Sequence, residues 1–443
     1  MRRPRLHDDD RAMARLAVPA FVALVSEPLF LLADTAVVGF LGTDPLAALA
    51  VAGTVLQTVV GLCVFLAYVT TATVARRLGA DDLRGALADG TSGVWLAAAL
   101  GCLLAVLTAG LADPVIAVFG VSAEVGSQAA DYLRVSAIGV PAMLMVLAAT
   151  GVLRGLHDTR TPLVVLVAAN LTNIGLDVVL VYGLDLGLVG SALGTVLAQT
   201  GAAVALVVVV VRGARRHDAS VRPHLRGMWS AAGSGLPLFV RTLMLRTVLV
   251  VATAVAATMP AAALAAQQIA VTVVSVLAYA LDAIAIAAQA IIGRHLGAGD
   301  VTATRRSTRR MVGWGVVGGA LAGLGLLAVA NWLPLLFTPD PDVAAAAVSA
   351  LVVVALVQPV SGVVFVLDGV LIGAGDGRYL AVASLLTTVV YLPVAAAVVV
   401  TGGGIGWLWA GYAAWMVARA VTLSHRARGT AWLRTGAVVG AAG

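Results

Sequence analysis

GVLRGLHDTR at residues 151–160 and GVLIGAGDGR at residues 369–378 are two copies of one decapeptide, Gly-Val-Leu-x-Gly-x-x-Asp-x-Arg, set 218 residues apart. The same offset carries Pro19 to Pro237, Phe119 to Phe337 and Pro141 to Pro359. It also carries Leu78, Gly79 and Ala80 to Leu296, Gly297 and Ala298. A single spacing that holds from residue 19 to residue 378 is an internal duplication of nearly the whole chain.

The duplicated unit is almost entirely apolar. Of 443 residues, 61% are hydrophobic and 11% charged, and the mean hydropathy is +1.02. A soluble domain of that size could not cover its surface with so few polar groups. The length is therefore divided into membrane spans rather than globular domains. Apolar stretches of roughly 20 residues, each enough to cross a hydrocarbon core of about 30 Å, recur about twelve times. They fall at 16–41, 46–73, 91–111, 130–152, 162–182 and 187–211, then at 231–257, 262–293, 311–333, 345–371, 379–400 and 404–424. The runs are continuous rather than alternating, which predicts helices and not a β-barrel. Each repeat holds an even number of spans, so both copies enter from the same side and are parallel. The expected fold is all-α and integral to the membrane, with 12 transmembrane helices in two parallel six-helix repeats. The expected domains are an N-lobe at 1–211, a cytoplasmic linker at 212–226, and a C-lobe with a cytoplasmic tail at 227–443.

All 28 basic residues are arginine. They gather before the first span, at Arg76, Arg77 and Arg84, at Arg154 and Arg160, from Arg212 to Arg226, from Arg294 to Arg310, at Arg378, and after the last span. The intervening connections carry Asp44, Asp113, Glu124, Asp185, Asp340 and Asp342 instead. Arginine on alternate connections places both termini in the cytoplasm, in a cytoplasmic (inner) membrane of bacterial type. The net charge of +6 thus follows from orientation. No basic face with interleaved aromatics is visible, so no nucleic-acid partner is expected. Cys63 and Cys102 lie in apolar spans and read as small buried residues. The first apolar run is too long for a cleavable signal peptide and carries Glu27 and Asp34. Pro19 and Pro28 inside it predict kinks.

A charge inside a span costs about 2.5–3.5 kcal/mol on insertion scales, so each is a functional candidate. The first repeat has Glu27 and Asp34 in span 1, on nearly one face, and Asp177 in span 5 on the face of Asn170 and Asn173. Span 6 adds Ser191, Thr195 and Gln199 at helical spacing. Converging, these stripes make an oxygen-rich pocket suited to a proton, sodium or an organic cation. The duplication supplies an internal control. At offset 218, Asp34 becomes Ala252, Asn173 becomes Tyr391 and Asp177 becomes Ala395. A purely structural network would more readily have been kept in both copies. In the second repeat Arg241 and Asp282 lie at matching depths and form a candidate ion pair, structural or transporting. Arg246 and Asp368 are left without a role. The decapeptide reads as structural, with Gly155 and Gly373 at helix ends and Asp158 and Asp376 at the turns. No GxxxxGK[ST], HExxH or GxSxG motif occurs and no histidine lies on a span, so ATP-driven or hydrolytic chemistry is not expected.

EPLFLLADTAVVGFLG at 27–42 resembles the first helix of MATE (multidrug and toxic compound extrusion) transporters of the DinF-like branch. LRGLHDTRTP at 153–162 resembles the connection between their fourth and fifth helices, and NLTNIGLDVVLVYGLDLGLVGSALGT at 170–195 their fifth and sixth. The likeness runs over roughly residues 14–425. It implies two six-helix bundles facing each other in a V, and antiport of cations against drugs or metabolites. It also implies a cation-coupling site at Asp34, Asn173, Asp177 and Thr195, to which the polar stripes add Glu27, Asn170, Ser191 and Gln199 as accessory candidates. No cofactor is expected beyond H⁺ or Na⁺ as the coupling ion, and no metal beyond sodium at that site. The expected molecule is a monomeric exporter of small organic, cationic or amphipathic compounds. The alternative within the superfamily is a flippase for lipid-linked saccharides, for which Arg241 and Arg246 would meet pyrophosphate.

Overall fold

The computed structural model describes residues 6–438, and among them the regular structure is helical throughout. The first repeat comprises α1 (Leu6–Gly39), α2 (Thr43–Leu62), α3 (Phe65–Gly79), α4 (Leu83–Gly110), α5 (Ala112–Ala117), α6 (Ala123–Ala137), α7 (Val140–Gly155), α8 (Arg160–Val178) and α9 (Gly187–Arg216). A single π-helical turn, Val179–Gly183, continues α8. The second repeat comprises α10 (Leu225–Ala256), α11 (Ala261–Gly297), α12 (Val301–Val329), α13 (Pro341–Gly373), α14 (Gly377–Val400) and α15 (Ile405–Arg428).

The offset of 218 holds for the elements as it does for the letters. Thr43 and Gly79, which open α2 and close α3, map onto Ala261 and Gly297, the two ends of α11. Ala123 and Gly155 map in the same way onto the ends of α13. Two spans that are continuous in the second repeat are therefore broken in the first. One break is at Cys63 and Val64; the other is at Ile138 and Gly139, where α6 and α7 meet at 49°. Pro19 and Pro28, by contrast, lie inside an unbroken α1. Among the described residues ten helical segments are long and apolar enough to cross a membrane, and the α6–α7 pair makes eleven. The twelfth expected span coincides with α15, whose Trp407, Trp409, Tyr412, Trp415 and Arg419 dilute its apolar character.

The decapeptide is where helices come closest. Gly151 and Gly155 press α7 onto α3: a Cβ on Gly155 would stand 2.8 Å from the Thr71 carbonyl oxygen. Thr71 Oγ1 donates across this contact to the Gly151 carbonyl at 3.1 Å. Gly369 and Gly373 do the same for α13 on α11, with a Cβ on Gly373 only 2.5 Å from the Gln289 carbonyl oxygen. The expectation of a helix end is met, since Gly155 and Gly373 close α7 and α13. Their second task is a small-xxx-small notch, the device that lets helices pack where lipid removes the hydrophobic drive. Large apolar side chains such as Leu32, Val106, Leu171 and Val390 are exposed, as a lipid-facing surface requires.

Contacts divide the chain into two compact units, Val18–Gly235 and Leu236–Gly443 with the residues up to Ala17. The two boundaries are themselves 218 residues apart. In the second unit, Asp10 near the start of α1 receives Arg310 and the Trp314 indole N–H (3.1 Å) from α12. In the first, the start of α10 lies on α3 and α4: Gly227 faces Ser92 and Gly235 faces Phe65. The connection from α9 to α10 is held to α4 by Thr91 Oγ1 donating to the Ser220 carbonyl (2.9 Å) and Trp95 Nε1 to that of Val221 (3.0 Å).

Candidate functional site

In the unit Val18–Gly235, α1, α8 and α9 bring their polar residues to one buried place. Ser191 Oγ on α9 donates to Asp34 Oδ1 on α1 at 2.7 Å. Asn173 Nδ2 donates to Asp177 Oδ1 one turn along α8 at 2.9 Å. Thr195 Oγ1 on α9 donates to Asn173 Oδ1 at 3.4 Å. Asp177 is 0% exposed and Asp34 4%. Among the described residues neither carboxylate meets a guanidinium. Asp177 Oδ2 is buried without a hydrogen-bond partner. An oxygen of that kind is costly in an apolar interior unless something else occupies its lone pairs.

Two features that the sequence reading did not single out shape this pocket. Gly194, between Ser191 and Thr195, is the notch that admits Asp177, because a Cβ there would overlap Oδ1. Tyr132 on α6 is buried within electrostatic reach of Asp34 and Asp177 and beside Ser191. A glycine flanked by two polar positions at helical spacing was a usable signal for Gly194. For Tyr132 there was none, since a single tyrosine near a membrane interface is ordinary.

Of the accessory residues, Ser191 joins the pocket and Asn170 does not. Asn170 Nδ2 donates to the Ser26 carbonyl and hydroxyl, both at 3.3 Å, and so ties α8 to α1. Tyr182, in the π-helical turn, makes a second tie by donating to the Val37 carbonyl at 2.5 Å. Asp34 lies on α1 between these two ties. Gln199 is half-buried further along α9. The side chain of Glu27 lies outside what the structure describes. The π-helical turn begins two residues after Asp177, a position where such turns often mark function.

The unit containing Leu236–Gly443 has a polar cluster of opposite character. Arg241 on α10 donates to Asp368 Oδ2 on α13 at 2.6 Å, and Arg419 on α15 donates to the same oxygen at 2.5 Å. Asp368 is thus a carboxylate partner of Arg241 that the sequence reading did not propose, and Asp282, its expected partner, is half-buried on α11. Arg419 was not singled out, although it lies inside the expected span 404–424 and within α15. Arg246 is exposed. Among the described residues no group of three metal-ligating side chains occurs.

The sequence model of the MatE family matches this chain twice, at residues 19–179 and 237–397, again 218 residues apart. The DNA damage-inducible protein F of Escherichia coli is 34% identical over 195 residues, 44% of this chain and 42% of that protein. Protein DETOXIFICATION 44, chloroplastic, of Arabidopsis thaliana is 31% identical over 82% of this chain and 71% of its own length. A probable multidrug resistance protein NorM of Thermotoga maritima is 29% identical over 46% of this chain and 45% of its own. The match thus spans less than half the length of the Escherichia coli and Thermotoga maritima relatives. A Vibrio cholerae MATE transporter has the same fold, with a TM-score of 0.88 at 22% identity over 96% of this chain and 99% of that one. A MOP superfamily transporter from Pyrococcus furiosus superposes with a TM-score of 0.86 at 21% identity over 95% of each chain.

Proposed function

The chain belongs to the MatE family, and from that premise we propose that it is a secondary active antiporter. It exports organic, cationic or amphipathic compounds against an inward flow of H⁺ or Na⁺. The observation that carries this reading is the pair Asp34 and Asp177, two buried carboxylates without a guanidinium, one with an unpartnered oxygen. Two bare anions cannot share a membrane-buried pocket cheaply, so the pocket selects a state in which a proton or cation is present. Asp177 Oδ2, Asp34, the Asn173 carbonyl and the Thr195 hydroxyl supply oxygen ligands for sodium, and the carboxylates alone suffice for a proton.

The coupling runs through α1. Its ties to α8 at Ser26 and Val37 bracket Asp34, so occupancy of the pocket is felt as a change in how α1 packs on α8 and α9. An ion that binds one packing better than the other shifts the balance between outward-open and inward-open states by that difference in affinity. The arginine-rich connections and both termini face the cytoplasm of a bacterial cell in this reading. The test is efflux of cationic dyes from proteoliposomes under separately imposed proton and sodium gradients. Efflux driven by one of them supports the proposal, and efflux indifferent to both overturns it.

A further inference from the structure

We propose that the cluster on α10, α13, α14 and α15 is a binding site for an anionic group, a carboxylate or its equivalent, carried on a flat or amphipathic body. The inference rests on the export reading and takes its amphipathic alternative rather than its cationic one, since it names an anionic group on the cargo.

Donors outnumber acceptors in this cluster. The Arg419 guanidinium has five N–H donors, is 6% exposed, and lies within α15. Its acceptors are Asp368 Oδ2, which it shares with Arg241, and the thioether of Met416 at 3.6 Å. The charged and polar groups in electrostatic reach of it are Asp368, Arg241 and Tyr412. Two further donors close by have no acceptor. Tyr391, 2% exposed, keeps a hydroxyl without a partner, and Trp415, 5% exposed, an indole N–H without one. Arg419 lies 4.9 Å over the Trp415 ring, and Trp415 lies 6.4 Å from Tyr391 and 5.4 Å from Tyr412. A clamp that merely held three helices together would satisfy its donors. This one leaves an indole donor on the ring that Arg419 covers and a hydroxyl on the ring packed against it, and the missing component is an acceptor, best an anion. The tilted rings of Tyr412, Trp415 and Tyr391 give it an aromatic wall for the rest of the ligand.

The duplication strengthens the inference. Tyr391 occupies the position of Asn173, Ala395 that of Asp177, Tyr412 that of Gly194 and Trp409 that of Ser191. At Asn173 and Ser191, polar positions of the first repeat's pocket, the second has rings that carry donors, and at Asp177 it has lost the carboxylate. Arg241, Asp368 and Arg419 correspond to Ala23, Thr150 and Gly201, so the basic cluster is also unique to its copy.

The experiment is calorimetric titration of the purified full-length chain in detergent with three isosteric probes: naphthoate, neutral naphthamide and naphthylmethylammonium. Wild-type protein is expected to bind naphthoate roughly tenfold tighter than naphthamide, and the ammonium most weakly. Arg419→Gln is expected to erase the preference for the acid, and Tyr391→Phe to reduce it. Should Arg419→Gln fail to fold, Arg419→Lys, which keeps the charge but loses the fork, gives a reduced preference instead. Equal binding of acid and amide by wild type overturns the proposal, as does a preference unchanged in the Arg419 and Tyr391 variants; the cluster is then a structural clamp. No ion gradient enters the measurement. A protein that prefers the acid but moves neither naphthoate nor dye under any gradient would count against antiport alone.

Discussion

Asp34→Asn preserves the shape of the side chain and its bond to Ser191 but removes a titratable charge. In the antiport reading it uncouples export from the ion gradient while folding and substrate binding persist. Asp177→Asn does the same, and the double variant is little worse than either single, as for groups acting as one site. Export rates in gradient-loaded proteoliposomes decide: wild-type rates in Asp34→Asn would show that this carboxylate is not the coupling group. Gly194→Ala is a sharper probe, because its methyl group displaces the Asp177 carboxylate without altering any ionisable residue. It is expected to weaken coupling at least as much as a conservative change on Asp34, with a small effect on thermal stability. The sequence made most of this pocket legible, since charges inside spans are few and helical spacing fixes their faces. Asn170 shows the limit. It shares a face with Asn173 and Asp177, yet reaches Ser26 instead, because one turn of helix moves a side chain about 5.4 Å to a different neighbour.

Whole helices carry consequences that no single span reveals. Gly315 on α12 and Gly362 on α13 meet so closely that a Cβ on Gly362 would overlap the Gly315 carbonyl oxygen. Gly362→Ala is expected to push these helices apart and destabilise the second unit by about 1–3 kcal/mol, the usual cost of overpacking, seen as a lower thermal midpoint in detergent. Higher stability in that variant would contradict the close approach. The start of α4 gives a pH-dependent case outside the membrane. Asp82 caps α4 by accepting from the Gly85 amide at 2.8 Å and pairs with Arg77 at 2.7 Å. That amide first, and Arg77 second, hold its carboxyl below the ordinary 3.8. A lowered folded value means that the cap's contribution is fully present above the unfolded value, near 4, and is lost as pH falls through the folded one. Asp82→Ala is expected to cost about 1 kcal/mol at neutral pH and to differ less from wild type in acid, by thermal melts at both. Asp300 repeats the cap on α12 by accepting from Ala303, so the signature was readable twice. Of the two broken spans, the one at Ile138 and Gly139 is signalled by Gly139 and Pro141. The other was not readable: Cys63 and Val64 carry no helix-breaking residue, and the comparison of α2 and α3 with the continuous α11 exposes the interruption.

At the scale of the molecule, one number, 218, predicted which elements of the two copies correspond, and it recurs between the two family matches. It did so because duplication preserves backbone path and close-packing glycines. What it could not supply was the chemistry, which lives where the copies diverged: acceptors at Asn173 and Asp177, rings and donors at Tyr391 and Tyr412. The sidedness of the whole chain is the remaining step. Turns that follow α3, α7, α9, α11 and α13 alternate along the chain with those that follow α1, α4, α8, α10, α12 and α14. The first set carries the arginine clusters, and an unequal distribution of that kind fixes orientation during insertion. Asp218, in the turn after α9, and Asp340, ahead of α13, then lie on opposite faces of the membrane. With Cys63 and Cys102 replaced by alanine, Asp340→Cys in intact cells is expected to react with a membrane-impermeant maleimide, and Asp218→Cys only after the cells are opened. Both positions are exposed, so failure to react reports sidedness rather than burial. Labelling of both positions from outside would mean an even number of crossings between them, where α10, α11 and α12 make three. It would remove the parallel-repeat topology and, with it, the cytoplasmic placement of both ends.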